Sequence, residues 1–172
     1  ISGNSSNKWG GGILNFGNTT LNNVTITDNT ADSDNTGDSL GGGIYNPSGT
    51  NLLGIFKLQN TIIAGNTDRS GQAPDCGGTA AITSQDYNLI GTLTGCNLLS
   101  GITIHNIVGV NPQVGPLQDN GGSTFTHELL TGSPAIDKGN PATCNTADQR
   151  GVHRPQGTAC DIGAFEVAST VF

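Results

Sequence analysis

The densest group of oxygen donors in the chain is the run ADSDNTGDS, where Asp32, Asp34 and Asp38 surround Gly37. Carboxylates at alternate positions before a glycine are what a calcium loop requires, because the ion takes its oxygens from a sharply turned backbone. The EF-hand form of such a loop fails here, since its twelfth position is Gly43 rather than Glu. Calcium on Asp32, Asp34 and Asp38 is thus the one cofactor the sequence raises, and a solvated acidic loop is the plainer alternative. A second concentration of titratable residues is Asp148, Arg150, His153 and Arg154. Acidic ligands beside a base that takes a proton are the needs of a calcium-dependent lyase. Ion-paired structural networks gather the same residue types, and the cluster reads as a charge-paired cap.

Other nucleophiles and ligands are scattered. His105 and His127 lie far apart, with no second ligand at the spacing of zinc sites, and read as satisfied polar residues. No serine sits in a GxSxG context. Glycoside hydrolysis needs two carboxylates facing one sugar, and the sequence names no such pair. No catalytic residue is therefore expected. The four cysteines, Cys76, Cys96, Cys144 and Cys160, include no CxxC and favour disulfides over metal. Of the three connectivities, neighbour pairing is the simplest, and either bridge would persist only in an oxidising compartment.

The elements that carry these residues are set by an internal repeat. ISGN at Ile1–Asn4, ITDN at Ile26–Asn29 and IAGN at Ile63–Asn66 are separated by two GGGI phrases, giving units of 25 and then 37 residues. A period in the range of about 20–50 residues is the signature of a solenoid, whose units bury their apolar faces only against neighbours. The units are short, rich in Thr and Ile, and broken by Gly and Asn, so they are strand-like. The predicted architecture is all-β, a right-handed parallel β-helix, in one domain: β-helix turns over 1–110, then last turns and an irregular, Pro- and Gly-rich C-terminal cap over 111–172. At about 25 residues per turn, a fully coiled chain would make roughly six or seven turns. The 27 glycines suit tight corners. Asn4, Asn29 and Asn66, and Asn15 with Asn46, fall at equivalent corners, where stacked amides can hydrogen-bond from turn to turn.

The formal charge is −7, with only six Lys and Arg. That excludes a nucleic-acid partner, which needs basic clusters, and no apolar run approaches the ~20 residues of a membrane span.

Several phrases are familiar. GGGIxN and NTxIxxNT resemble the repeats of polymorphic outer membrane proteins. NTIIAGNT, PDC, YNLIG, GPLQDNGG, FTHELL, GSPAID and DQRGVHRPQGTACDIGAFE together resemble the C-terminal part of bacterial secreted β-helix proteins of the choice-of-anchor Q type. The resemblance covers nearly the whole chain and implies a right-handed parallel β-helix outside the cell or on its surface, with no catalytic residues to carry over. Members often continue into an anchoring segment, whereas VASTVF follows soon after Glu166. Asn66–Asp68 also resembles one element of the polygalacturonase site, but that site's other motifs are missing and the triplet reads as chance.

The function expected is that of a non-enzymatic extracellular structural or adhesive module, with surface glycans among its partners; the alternative is a carbohydrate-active or carbohydrate-binding β-helix. Sequons at Asn4, Asn18 and Asn23 matter only in a glycosylating host. Because Ile1 opens inside a repeat phrase and the tail alternates Phe165 and Val167 with Glu166 before Val171 and Phe172, self-association through the solenoid ends is also expected, with Ile1, Phe165, Val167, Val171 and Phe172 as its contacts.

Overall fold

Each pass of the chain lays one short strand on each side of a coil. The computed structural model describes residues 1–37, 40–49, 52–96 and 99–168. The first full pass gives β1 (Ile13–Leu14), β2 (Thr19–Asn22), β3 (Thr25–Ile26) and β4 (Thr30–Ala31). The second gives β5 (Ile44–Asn46), a small hairpin of β6 (Ser48–Gly49) and β7 (Leu52–Leu53), then β8 (Phe56–Gln59), β9 (Ile62–Ile63) and β10 (Thr67–Asp68). The third gives β11 (Cys76–Gly78), β12 (Ile82–Gln85) and β13 (Leu89–Ile90), and the last gives β14 (Leu99–Ile102) and β15 (Ile107–Val108). Corresponding strands pair in parallel, in the orders β1-β5-β11, β14-β12-β8-β2, β15-β13-β9-β3 and β10-β4. Residues 1–5 add part of a further pass through bridges from Ser2 to Thr27 and Ser5 to Thr30.

Alternation decides what faces inward. Phe56 and Leu58 of β8 are buried while Lys57 and Gln59 face out, and Ile82 and Ser84 of β12 are buried beside outward Thr83 and Gln85. Ile26, Ile63 and Ile90 stack inside with Ile44, Phe56, Leu58 and Ile82 to form one core. The GGGI phrases let turns approach closely. A Cβ on Gly42 would stand 2.4 Å from the Thr67 and Pro74 carbonyl oxygens, so no side chain fits there.

The amide stacks expected from the repeat are present. Asn4 Nδ2 donates to Asn29 Oδ1 at 2.9 Å, and Asn29 Nδ2 donates to Asn66 Oδ1 at 2.9 Å. Asn66 Nδ2 then donates to Asp75 Oδ1 at 3.0 Å, so a carboxylate, which can only accept when ionised, ends the row. Asn15 donates to Asn46 at 2.8 Å in a second row.

Residues 111–168 depart from the expected terminal cap. They lie along the flank, covering the outward face of β9, β13 and β15. Ile62, Ala64 and Leu89 pack there with Leu129, Ala135, Ile162 and Phe165. The antiparallel pair β16 (Val114–Gln118) and β17 (Thr126–Leu129) belongs to this layer. Polar ties reach back to the early turns: Gly163 N–H donates to the Asn60 carbonyl, and Ala164 N–H donates to Thr25 Oγ1.

The tail also differs from the assembly strand expected of it. Phe165 is buried and Val167 packs against the same flank cluster, while Glu166 between them is 0% exposed, so the alternation fails. The cause is Arg154, itself buried, whose Nη1 bonds Glu166 Oε2 at 2.9 Å and draws that carboxylate inward. An unpaired buried guanidinium would be strongly destabilising. Val171 and Phe172 lie outside the described residues. Ile1 is half exposed and its ammonium donates to the Thr25 carbonyl.

Candidate functional site

Most of the residues singled out in the sequence that the structure describes are held in hydrogen bonds, ion pairs or disulfides of the fold. Asp32 is fully buried and accepts from the Thr36 and Gly37 N–H groups, closing its own turn. Asp34 is exposed and accepts from Thr36 Oγ1, and Asp38 lies outside the described residues. Among the described residues no three His, Cys, Asp or Glu side chains come together as a metal site. Asn66 belongs to the amide row, and Asp68 is buried, accepting from the N–H groups of Ser70, Gln72 and Ala73. Cys76 is bonded to Cys96 and Cys144 to Cys160.

The Asp148 cluster is a charge-paired network. Arg150 Nη2 meets Asp148 Oδ2 at 2.7 Å and its guanidinium lies 3.5 Å over the Phe165 ring, while exposed His153 takes no part in these pairs. Burial opposes ionisation of Asp148, but hydrogen bonds from Glu166 N–H and Arg150 outweigh it and hold the carboxyl below its usual range. His127 is buried with Nδ1 2.8 Å from the Gly115 carbonyl oxygen. Asn23 is buried against residues 145 and 161, which removes that sequon from the surface.

A different constellation emerges at the corner between the β2-β8-β12-β14 sheet and the β3-β9-β13-β15 sheet. In the first two passes this corner takes two residues, 23–24 and 60–61, whereas the third takes three, 86–88, and the last takes four, 103–106. The surplus carries Tyr87 and His105. Asp86 and Tyr87 both adopt positive φ, 79° and 57°, a conformation that side chains other than Asn and Asp rarely take. Asp86 is buried and binds His105 twice, accepting from its backbone N–H at 2.7 Å and meeting its ring Nδ1 at 2.6 Å. Burial raises the Asp86 carboxyl, yet the hydrogen bonds from His105 and Tyr87 outweigh it and leave the group below its ordinary value. An ionised carboxylate only accepts, so Nδ1 carries the proton, on a side chain that is 53% exposed. The His105 ring lies on Tyr87, with centroids 4.5 Å apart and planes within 15°.

Grooves open on both sides of Tyr87. One, of about 580 Å³, is lined by Lys57, Gln59, Thr83, Gln85 and Asn140. The other, of about 360 Å³, is lined by His105, Ile107, Lys138 and Pro141. The neighbouring sheet is polar in rows: Thr20, Lys57, Thr83 and Ser100 are in register, as are Asn22 and Gln59, and Gln59 Nε2 donates to the Gln85 carbonyl at 3.2 Å. A further groove of about 470 Å³ runs past Asp28, Gly65, Asp75 and Gly91, with no aromatic or cationic side chain among its described lining residues. Asp75 in its wall is raised by burial against the hydrogen bonds from Asn66 and Thr92 that hold it.

Sequence reading missed Asp86, Tyr87, Lys57 and Lys138. The signal was the growth of this corner from pass to pass, visible only once strand register is known. The arrangement presents a rigid aromatic face, a histidine nitrogen, planar amides and hydroxyls, which is the equipment of a polar-ligand surface. Comparison of the chain with family models, with curated proteins and with solved structures returned no match.

Proposed function

We propose that the chain is a right-handed parallel β-helix module of the extracellular space or cell surface that adheres to glycans through the Tyr87–His105 corner, without catalysing their cleavage. Right-handed coiling is the hand that parallel strand connections adopt almost without exception. Two disulfides fit an oxidising compartment. The resemblance to bacterial secreted β-helix proteins points the same way. The observation that carries the adhesive reading is the pair of rings locked at a widened corner by the buried Asp86. Sugar rings pack their C–H faces on aromatic surfaces, and the neighbouring Gln, Asn and Thr side chains offer donors and acceptors to hydroxyls. Among the described residues, no two free carboxylates line either groove together in the way glycoside hydrolysis demands, which favours binding over cleavage.

The test is titration of a panel of neutral and acidic oligosaccharides against the chain and against Tyr87→Asn, a substitution that keeps the left-handed backbone while removing the ring. The reading expects at least one ligand in the panel to bind and its affinity to fall about tenfold or more in the variant, the scale of a lost aromatic anchor. Absence of binding across the panel, or binding that Tyr87→Asn leaves unchanged, contradicts it.

A further inference from the structure

Resting on the glycan reading of the same corner, we propose that its ligand is acidic, an oligosaccharide of uronic acids, gripped by Lys57 on one side of Tyr87 and Lys138 on the other. The chain is poor in cations, with six Lys and Arg against thirteen Asp and Glu. Arg150 and Arg154 are tied to Asp148 and Glu166. Of the four basic side chains outside those pairs, two line the grooves that flank the Tyr87–His105 stack. Lys57 projects from the outward face of β8, and Lys138 is exposed beside His105. Neither takes part in an ion pair among the described residues.

The carboxylates nearby are already engaged. Asp86 is held by the His105 ring and backbone, and Asp137 accepts from the Ala159 N–H at 3.2 Å. Lys57 and Lys138 are therefore the ionic groups of these grooves left without an ion-pair partner among the described residues, and the Asp86 and Asp137 carboxylates line the same grooves beside them. A ligand carboxylate set against either ammonium gains an attraction that the acidic groups of a chain of net charge −7 do not offer. A uronic acid carries its carboxylate directly on the ring. A ring lying on Tyr87 thus holds that charge at its edge, toward the lysines. Gln59, Gln85 and Asn140 serve the hydroxyls.

The experiment compares one uronic-acid oligosaccharide with its carboxyl-reduced counterpart, the same sugar chain without charge, by calorimetric titration against the wild-type chain, Lys57→Gln, Lys138→Gln and Tyr87→Asn. The expected result is tighter binding of the acid form, weakening by about three- to fivefold in each lysine variant for the acid form alone, and weakening of both forms in Tyr87→Asn. Affinity for the acid form also falls as salt is raised. Equal binding of both forms, untouched by the lysine substitutions, overturns the acidic ligand while leaving the glycan reading intact. Absence of binding by either form overturns both. A sulfated oligosaccharide that binds while the uronate does not also overturns the proposal as stated.

Discussion

Asn29 shows how much a single repeated side chain carries. Its Oδ1 accepts from the Asn4 N–H and Nδ2, and its own Nδ2 donates to Asn66 Oδ1 and to the Thr27 carbonyl, all at 0% exposure of the residue. Asn29→Ala strands those partners in the interior and is expected to lower the unfolding free energy by about 2–4 kcal/mol in urea denaturation, at about 1–3 kcal/mol per orphaned group; a loss below about 0.5 kcal/mol contradicts the row's role. This row was legible because the repeat puts Asn4, Asn29 and Asn66 at one offset in three successive phrases. Its carboxylate end was not, since Asp75 belongs to no phrase. Asp161 gives the pH dependence. Burial, with the Glu166 and Asp137 charges behind it, pushes its carboxyl up to about 6 despite hydrogen bonds from the Val167 and Asp137 N–H groups. A raised carboxyl means that the fold favours the neutral form. The contribution is complete below the unfolded value of about 3.9 and is lost as pH rises through about 6. The melting-temperature difference between wild type and Asp161→Asn is therefore expected to shift against the wild type between pH 4 and pH 7; a difference independent of pH contradicts it.

At the scale of the element, paired apolar residues explain where the C-terminal region goes. A strand with one face in water alternates, as β8 and β12 do, whereas Ile62–Ile63 and Leu89–Ile90 are apolar in succession and need cover on both faces. The second of each pair fills the coil and the first meets residues 111–168. That pattern was present in the sequence, but a Pro- and Gly-rich segment at the end of a solenoid reads equally well as a lid on its open edge. The Cys144–Cys160 bridge lies within this flank layer, while Cys76 and Cys96 sit in the coil core. Replacing Cys144 and Cys160 together with Ser is expected to loosen the flank first, removing about 3 kcal/mol of loop entropy. Hydrogen exchange should quicken at Gly139, Ile162 and Gly163, whose amides bond Cys160, Ala135 and Asn60, with β8 and β12 unchanged. Uniform acceleration across both layers contradicts two separable units.

At the scale of the molecule, the stack is a ruler whose marks widen at this corner from pass to pass. Regular passes fix Lys57, Thr83 and Ser100 in a polar row, and two successive insertions push Tyr87 and His105 out beside it. The coil was readable from the spacing of the repeat phrases because each turn repeats the last; the Tyr87–His105 corner was not, because it arises where repetition breaks. The most direct measurement is amide chemical-shift mapping of the isotopically labelled chain as a binding oligosaccharide is added. The perturbed amides are expected to cluster at 84–88, 103–106 and 137–140, with those of Asp28, Gly65 and Gly91 along the other groove unmoved. Shifts confined to that other groove, or spread over neither, contradict it.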